Sequence, residues 1–161
     1  MNKAVFLDRD NTIIEDKGYV YKIEELKFLP GTIEGLKRLS KEFIFVIITN
    51  QSGIGRGYYT KEQYESFKKE MNSRLKEHGI VIAKEYYCPH HPEKALEEYR
   101  IDCNCRKPKT GMLDKAKKEL NIDFKKSWVI GDKSSDIGAG KNIKARTIGI
   151  LNQYSDRKDL E

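Results

Sequence analysis

Long apolar runs are the first feature that this sequence lacks. No stretch of its 161 residues approaches the roughly 20 consecutive apolar residues that a membrane-spanning helix needs. The amino terminus reaches the charged Asp8 after a short apolar run, too short for the core of a signal peptide. We therefore predict a soluble protein of the cytoplasm with no membrane partner.

Segments that would divide the chain are missing too. The sequence has only 4 prolines and contains no low-complexity run, internal repeat or Pro/Gly-rich linker. A chain of this length can bury a sizeable core in one unit without the support of disulfide bonds. We predict one domain over residues 1–161 and expect the protein to act as a monomer.

A concentrated basic region is also absent. The formal net charge is +6, but lysine and glutamate are interspersed along the chain and do not gather in one basic block. This distribution favours a solvated surface, so we expect no nucleic acid among the partners. A zinc-containing nucleic-acid-binding module is the alternative from another class, and it would bind DNA with a steep salt dependence.

The sequence does contain short apolar runs that alternate with segments of helical period. The apolar runs predict five buried strands, at residues 3–7, 43–49, 81–87, 127–130 and 147–151. The periodic segments predict four helices, at residues 32–41, 60–79, 111–120 and 136–143. The second helix begins with a capping-box pattern, Thr60 and Gln63. We predict an α/β fold with a doubly wound, mostly parallel sheet, which binds ligands at the carboxyl ends of its strands.

Polar residues concentrate at those carboxyl ends. Asp8 and Asp10 follow the first predicted strand, Thr49 closes the second, and Asp132 and Asp136 follow the fourth. Each group alone could be an ordinary polar turn or a helix cap. Because they coincide at three strand ends, we expect one crevice that combines carboxylates with groups that hold phosphate oxygens.

The 3 cysteines fall within one short segment. Cys88 and His90 open this segment, and Cys103 and Cys105 close it. Three thiolates and one imidazole suit tetrahedral zinc, and a site with four protein ligands is structural because no position remains for water. His91 is an alternative to His90 as the fourth ligand. The spacing favours a zinc site over three unrelated reduced cysteines.

The motifs resemble those of the haloacid dehalogenase (HAD) superfamily of phosphohydrolases. That superfamily has an Asp-x-Asp-x-Thr motif, a Thr or Ser after the second strand, a Lys, and a Gly-Asp followed by a further Asp. They correspond here, in order, to residues 8–12, Thr49, Lys107, Asp132 and Asp136. The resemblance implies that Asp8 is the nucleophile and Asp10 the general acid and base, while Thr49 and Lys107 hold and neutralise the phosphate.

The resemblance also implies a catalytic magnesium ion. Its ligands would be Asp8, the backbone carbonyl of Asp10, and Asp132. Asp136 would be either a further ligand or a partner of the ligands. All of these are hard oxygen donors, as magnesium prefers.

The segment of residues 88–105, called the zinc loop below, resembles that of the HAD branch that acts on heptose bisphosphates. This resemblance selects His90 as the fourth zinc ligand and implies a small phosphorylated sugar as substrate. Histidinol phosphate, the substrate of a related branch with a shorter loop, is the alternative. The residues implied to bind the substrate surround the same crevice: Asp16, Lys17, Gly18, Tyr19, Thr49, Asn50, Gln51, Ser52, Arg106, Lys107 and Lys133.

The sequence departs from the family pattern in two places. Asn11 stands where the family usually has glycine. Asparagine is tolerable there because it enters left-handed conformations more readily than most residues, but we expect it to crowd the catalytic loop. The chain ends at Glu161, soon after the last predicted strand, where family members commonly add another strand and helix. Between Asp8 and Thr49 there is room for a helix and a loop, so we predict no separate cap domain.

Overall fold

Five parallel strands form the centre of the structure, a computed structural model that describes residues 1–153. The strands are β1 (Ala4–Leu7), β2 (Ile44–Asn50), β3 (Ile82–Cys88), β4 (Trp128–Gly131) and β5 (Arg146–Gly149). The helices are α1 (Thr32–Leu39), α2 (Ser52–Gly55), α3 (Lys61–Glu77), α4 (Gly111–Leu120) and α5 (Ser134–Asn142). Three single 3-10 turns lie at Ile23–Glu25, Glu97–Tyr99 and Phe124–Lys126.

The strands pair in the order β3-β2-β1-β4-β5. The predicted α/β fold with a parallel sheet is therefore confirmed, and every predicted strand is present within one or two residues of its expected bounds. Between β1 and β2 the chain forms one 3-10 turn and α1, so no cap domain is inserted there. No helix among residues 1–153 is long and apolar enough to cross a membrane.

The two faces of the sheet are separated by the alternation of side chains along each strand. Val5 and Leu7 of β1 pack with Phe67 and Met71 of α3 on one face. Phe6 packs on the other face, with residues of α4 and α5 such as Met112 and Ala139. Successive side chains of a strand point to opposite faces, so an unbroken apolar run is what a strand covered on both faces requires.

The prediction that all five strands are buried was wrong for β5 and partly wrong for β3. Ile148 in β5 is 44 % exposed, and Ala83 and Lys84 in β3 are exposed. Within residues 1–153, both strands lie at an edge of the sheet, where one side of the strand has no neighbouring strand. Lys84 and Glu85 already interrupt the apolar run of β3, whereas the predicted run of residues 147–151 carries no charge that would mark it as an edge strand.

The helix bounds follow local signals. At α3 the capping box is complete, since the Thr60 hydroxyl accepts from the backbone N–H of Gln63 and the Gln63 side chain accepts from that of Thr60. Helix α5 begins at Ser134, two residues before its predicted start. The short helix α2 was not predicted, because its four residues include two glycines and show no periodic pattern.

The order of the strands places one crevice at the centre of the sheet. From β1 the chain proceeds through β2 to β3 on one side, and it then returns to add β4 and β5 on the other side of β1. This reversal makes the carboxyl ends of β1 and β4 the switch point, where ligands bind in open α/β sheets. Asp8 follows β1 directly at that point, and its backbone N–H donates to the Ile130 carbonyl of β4 at 3.0 Å.

Two helical glycines provide a matched test of the packing. A Cβ atom at Gly140 in α5 would lie 2.4 Å from Thr147 Cγ2, whereas one at Gly35 in α1 would have no atom within 4 Å. We expect Gly140→Ala to lower the free energy of unfolding by about 1–3 kcal/mol through overpacking. Gly35→Ala should raise it by about 0.5–1 kcal/mol through helix propensity. Urea unfolding of both variants measures the two changes in the free energy of unfolding. A change of the same sign in both variants would contradict the close packing of α5 against the sheet.

Candidate active site

Lys107 lies at the centre of the crevice, and its ammonium group uses all three of its donors. It donates to Asp8 Oδ1 at 2.9 Å, to Asp136 Oδ1 at 2.6 Å and to the Ile48 carbonyl at 2.7 Å. Lys107 is 4 % exposed. Burial alone would lower its pKa, but the Asp136 and Asp8 carboxylates outweigh that effect and raise the pKa. The ammonium is thus a fixed positive charge beside Asp8.

Asn50 holds the Lys107 backbone in place. Its side-chain oxygen accepts from the Lys107 backbone N–H at 3.1 Å, and its side-chain nitrogen donates to the Lys107 carbonyl at 3.3 Å. The end of β2 is thereby tied to the end of the zinc loop. The Asn50 side chain is engaged in this contact, so the part of Asn50 available to a substrate is its backbone.

Three carboxylates form the acidic part of the crevice. Oxygen atoms of Asp8, Asp132 and Asp136 lie within 4.8 Å of one another, and all three residues are buried. Asp136 is already paired, because its second oxygen accepts from the Lys133 backbone N–H at 3.0 Å. Both oxygens of Asp132 are buried without a hydrogen-bond partner among residues 1–153. Burial, followed by the charges of Asp8 and Asp136, raises the pKa of Asp132 to about 7.

This acidic group fits a divalent metal ion. An unpartnered buried carboxylate is costly, and a cation removes that cost by accepting its oxygens as ligands. Carboxylate oxygens are the donors that Mg²⁺ prefers. Asp132 and Asp8 are the residues best placed to act as ligands. Both Asp136 oxygens already accept hydrogen bonds, from the Lys107 ammonium and from the Lys133 backbone N–H.

Asp10 lies beside this group and is held by two neighbours. Arg9 Nε donates to Asp10 Oδ1 at 2.7 Å, and Gln51 Nε2 donates to Asp10 Oδ2 at 3.0 Å. Burial raises the pKa of Asp10, the Arg9 charge opposes this effect, and Asp16 and Asp8 add to it. The same Gln51 nitrogen donates to Thr49 Oγ1 at 2.8 Å. Thr49 is fully buried beneath Gln51.

A cavity of about 370 Å³ opens above these groups. Its wall contains Asp8, Asp10, Lys107 and Asp136, together with most of the residues expected to bind substrate: Asp16, Gly18, Tyr19, Asn50, Gln51, Ser52, Arg106 and Lys133. Lys17 and Thr49 are not in this wall, since Lys17 faces a neighbouring groove and Thr49 lies deeper. Arg56 is in the wall although it was not predicted.

The four side chains expected to bind zinc also lie close together. The Cys105 sulfur lies 2.9 Å from the Cys88 sulfur, 3.3 Å from the Cys103 sulfur and 3.3 Å from His90 Nδ1. The His91 ring lies apart from this cluster, because its Nδ1 accepts from the backbone N–H groups of Glu93 and Lys94. The structure therefore brings His90, and not His91, to the three cysteines.

The zinc loop packs directly against the catalytic crevice. Arg106 NH1 donates to the His90 carbonyl at 3.3 Å, and the Leu96 backbone N–H donates to the Gly55 carbonyl at 2.7 Å. A Cβ atom at Gly55 would lie 2.3 Å from the Pro89 carbonyl oxygen, so α2 approaches the loop as closely as only glycine allows. The loop thus fixes both Arg106 and the helix that precedes Arg56.

Asn11 adopts the left-handed backbone conformation that made asparagine tolerable at this position. Its φ of 57° lies in the left-handed region, which asparagine tolerates better than most residues. Its side-chain oxygen accepts from the Asp16 N–H at 2.9 Å, and its side-chain nitrogen donates to the Asp16 carbonyl at 3.1 Å. Asn11 therefore joins the catalytic loop to the substrate loop (residues 16–19), which a glycine could not do.

Sequence reasoning missed several residues of the site. Arg9 stands between two predicted acids but was passed over, because an arginine in a polar loop is usually solvated, whereas this one is 1 % exposed. Arg56 and Tyr59 lie in the glycine-containing segment after β2, which the sequence indicates only as a candidate loop over the site, with no role for either residue. Their approach to the crevice depends on tertiary packing.

A parallel sheet with Asp8 at its switch point and Lys107 bridging Asp8 to Asp136 defines a HAD-type phosphohydrolase. Residues 104–161 match the family model described as HAD-hydrolase-like. A D-glycero-beta-D-manno-heptose-1,7-bisphosphate 7-phosphatase of Pasteurella multocida is 47 % identical over 94 % of this chain and 82 % of its own length. The phosphatase of that name from Escherichia coli K12 is 44 % identical over 84 % of this chain and 72 % of its own length. The chain belongs to the family of these phosphatases, within the HAD superfamily, and is a hydrolase of phosphoric monoesters.

The structural comparison gives the same family. The crystal structure of a D,D-heptose 1,7-bisphosphate phosphatase from B. bronchiseptica, complexed with magnesium and phosphate, aligns with a TM-score of 0.84. It is 28 % identical in sequence, and the alignment covers 98 % of this chain and 85 % of that protein. The fold and the family assigned from sequence are therefore confirmed.

The contact between Asn11 and Asp16 can be tested with two substitutions. Asn11→Gly keeps the left-handed backbone but removes two hydrogen bonds to the substrate loop, so we expect KM to rise about three- to tenfold with kcat nearly unchanged. Asn11→Ala should add a loss of about 1 kcal/mol in unfolding free energy, because alanine adopts positive φ poorly. Steady-state kinetics and urea unfolding measure these effects. A loss confined to kcat in Asn11→Gly would show that this contact does not serve substrate binding.

Proposed function

We propose that this protein hydrolyses the C7 phosphate of D-glycero-D-manno-heptose 1,7-bisphosphate, a step of nucleotide-heptose biosynthesis. The observation that carries this proposal is the family: relatives at 44–47 % identity over most of the chain carry the name of this activity. The site supports it, since an acidic crevice with a fixed ammonium opens into a cavity large enough for a sugar.

The rim of the cavity carries the groups that a second phosphate requires. Arg56, Arg106 and Lys133 line the same cavity as Asp8. Arg56 Nε is buried without a hydrogen-bond partner among residues 1–153, and the Arg56 guanidinium lies over the Tyr19 ring at 5.6 Å. Each charge-assisted contact to a phosphate contributes about 1.5–3 kcal/mol. A bisphosphate offers this rim an anion that a monophosphate lacks.

Cleavage would proceed in two displacements. In the first, an oxygen of Asp8 attacks phosphorus and the bond between phosphorus and the C7 oxygen breaks, while Asp10 gives its proton to that departing oxygen. Lys107 neutralises negative charge beside Asp8, and the Asn50 backbone would hold phosphoryl oxygens. Thr49, in contrast, lies below the cavity wall and contacts Gln51. The product of this step is an aspartyl-phosphate on Asp8.

The second displacement returns the enzyme to its starting state. Asp10, now a carboxylate, takes a proton from a water molecule that attacks the phosphorus, and the bond to Asp8 breaks. Mg²⁺, which the B. bronchiseptica structure contains, would be held by Asp8, Asp132 and the Asp10 carbonyl, and it would supply positive charge against the phosphoryl oxygens. Asp136 would serve by orienting Lys107.

Zinc is proposed for the cluster of Cys88, His90, Cys103 and Cys105. Their donor atoms lie within 4.8 Å of one another, as the ligands of one tetrahedral ion would. The ion would be structural, because protein atoms fill all four positions. Its task would be to fix the zinc loop, which Arg106 and Lys107 follow directly in the sequence.

The remaining expectations concern the setting of the enzyme. We propose one phosphatase domain over residues 1–161 that acts as a monomer in the cytoplasm. The nucleic-acid-binding alternative receives no support from the family, whose curated relatives are named as phosphatases.

Substrate choice tests the proposal. We expect kcat/KM for the heptose 1,7-bisphosphate to exceed that for histidinol phosphate by about ten- to a hundredfold, because one or two further charge-assisted contacts form. Heptose 7-phosphate is the matched control, since it differs only by the second phosphate. Arg56→Met should lower kcat/KM for the bisphosphate and leave that for heptose 7-phosphate nearly unchanged. A preference for histidinol phosphate would contradict the heptose assignment and retain the phosphatase mechanism.

Metal content tests the zinc loop. Protein purified without chelator should contain about one tightly bound zinc ion per chain by elemental analysis. His90→Ala should lose most of that zinc, whereas His91→Ala, a change of the adjacent histidine, should retain it. Cys103→Ser should lower activity although it removes no group that contacts the substrate. Equal zinc content in the His90 and His91 variants would rule out the proposed ligand set.

A further inference from the structure

We propose that Arg9 and Gln51, with Tyr59 behind them, are positioning residues that fix the orientation of the Asp10 carboxyl group. The inference rests on the proposed function in one respect, namely that Asp10 transfers a proton to the leaving-group oxygen. It assigns to these three residues a positioning role that the sequence motifs do not contain and that goes beyond the substrate contact expected of Gln51.

The first observation is that each oxygen of Asp10 has its own donor. Arg9 Nε lies 2.7 Å from Oδ1, and Gln51 Nε2 lies 3.0 Å from Oδ2. One such contact would allow the carboxyl group to rotate about it, whereas two contacts from different elements fix its plane. A proton donor needs that precision, because a small misplacement of the reacting atoms is costly in rate.

The second observation is that Arg9 is itself immobilised. Its guanidinium lies 4.8 Å from the centre of the Phe67 ring and 5.5 Å from that of Tyr64, both on α3. Its NH2 group donates to the Val20 carbonyl at 3.1 Å. The side chain is 1 % exposed, so the long helix α3 and the sheet core set the position of the donor.

The third observation is that four neighbouring groups hold the Gln51 amide and together favour one orientation. Its oxygen accepts from the Tyr59 hydroxyl and faces Arg9 NH2 at 3.4 Å, while its nitrogen faces the acceptors Asp10 and Thr49. If the amide turned over, its nitrogen would meet Arg9, which can only donate, and its oxygen would meet the Asp10 carboxylate once Asp10 has given up its proton. Burial raises the pKa of Tyr59, so its hydroxyl keeps its proton and remains a donor.

Tyr59 reaches Gln51 only because a glycine stands beside it. A Cβ atom at Gly53 would lie 2.2 Å from Tyr59 Cε1. On its other side the Tyr59 ring stacks on Tyr21 with the ring centres 5.2 Å apart. A series of side-chain contacts thus connects the packed aromatic rings, through the Tyr59 hydroxyl and the Gln51 amide, to Asp10.

This role predicts a dependence on the leaving group. A sugar alkoxide leaves only when it receives a proton, whereas the p-nitrophenolate of p-nitrophenyl phosphate is stable without one. The parameter kcat/KM includes departure of the leaving group but not the later attack of water. A residue that positions the proton donor should therefore affect kcat/KM for the sugar phosphate far more than for the aryl phosphate.

The experiment compares four variants with both substrates under matched Mg²⁺ and salt. Asp10→Asn, which removes the proton, sets the scale, with an expected loss of about 10²- to 10⁴-fold on the heptose bisphosphate. Gln51→Met and Arg9→Lys should each lose about ten- to a hundredfold on that substrate and less than about threefold on p-nitrophenyl phosphate. Tyr59→Phe, which keeps the packing, should show the same pattern at about three- to tenfold.

Tyr58→Phe is the matched control. It removes the hydroxyl of the adjacent, 53 % exposed tyrosine, and we expect both substrates to be turned over as by the unaltered enzyme. Equal losses on both substrates for Gln51→Met and Tyr59→Phe would overturn the positioning role. Equal losses for Asp10→Asn would instead remove Asp10 as the proton donor, and the proposal would fall with that part of the proposed function.

Discussion

The ammonium group of Lys107 is the interaction on which the rest of the site depends. It joins Asp8 to Asp136 and to β2 across a sequence separation of 99 residues between Lys107 and Asp8. Removing one partner of a buried ion pair generally costs about 3–5 kcal/mol, because the other charge remains without compensation. The Asn50 side chain and the packing of the zinc loop both serve to deliver this one group to the carboxyl end of β1.

The electrostatic balance of the crevice follows from that arrangement. Asp8, Asp132 and Asp136 lie together, and among the described residues Lys107 is the cation hydrogen-bonded to two of them. With all three carboxylates ionised, two formal negative charges remain in this group, and the Asp132 oxygens have no hydrogen-bond partner within residues 1–153. One divalent cation would satisfy those oxygens and restore neutrality. The lack of a hydrogen-bond partner for the Asp132 oxygens within residues 1–153 is therefore a physical reason for a metal ion in this position, independent of the family.

Much of the fold was predictable, because central strands covered on both faces must be apolar throughout and because their carboxyl ends carry the polar loops. The position of Asp8 at the switch point followed from that rule. The exposure of β5 did not, since the predicted run of residues 147–151 carries no charge that would mark an edge strand, whereas Lys84 and Glu85 interrupt β3. Some features could not be predicted because they depend on contacts between residues that motif spacing along the sequence does not reveal. They are the burial of Arg9, the contact of Asn50 with Lys107 and the contact of Asn11 with Asp16. Asn11 shows this most clearly, since the sequence suggested crowding where the side chain in fact forms two hydrogen bonds.

The claim that Asp8 is the nucleophile is tested most directly by trapping the phosphorylated enzyme. The enzyme would be mixed rapidly with heptose 1,7-bisphosphate and Mg²⁺, quenched during the first turnover and mapped by peptide mass spectrometry. The account predicts one phosphoryl group on the peptide that contains Asp8, and neither phosphorylation nor turnover in Asp8→Asn. A phosphoryl group on another residue, or turnover by Asp8→Asn near the rate of the unaltered enzyme, would contradict it.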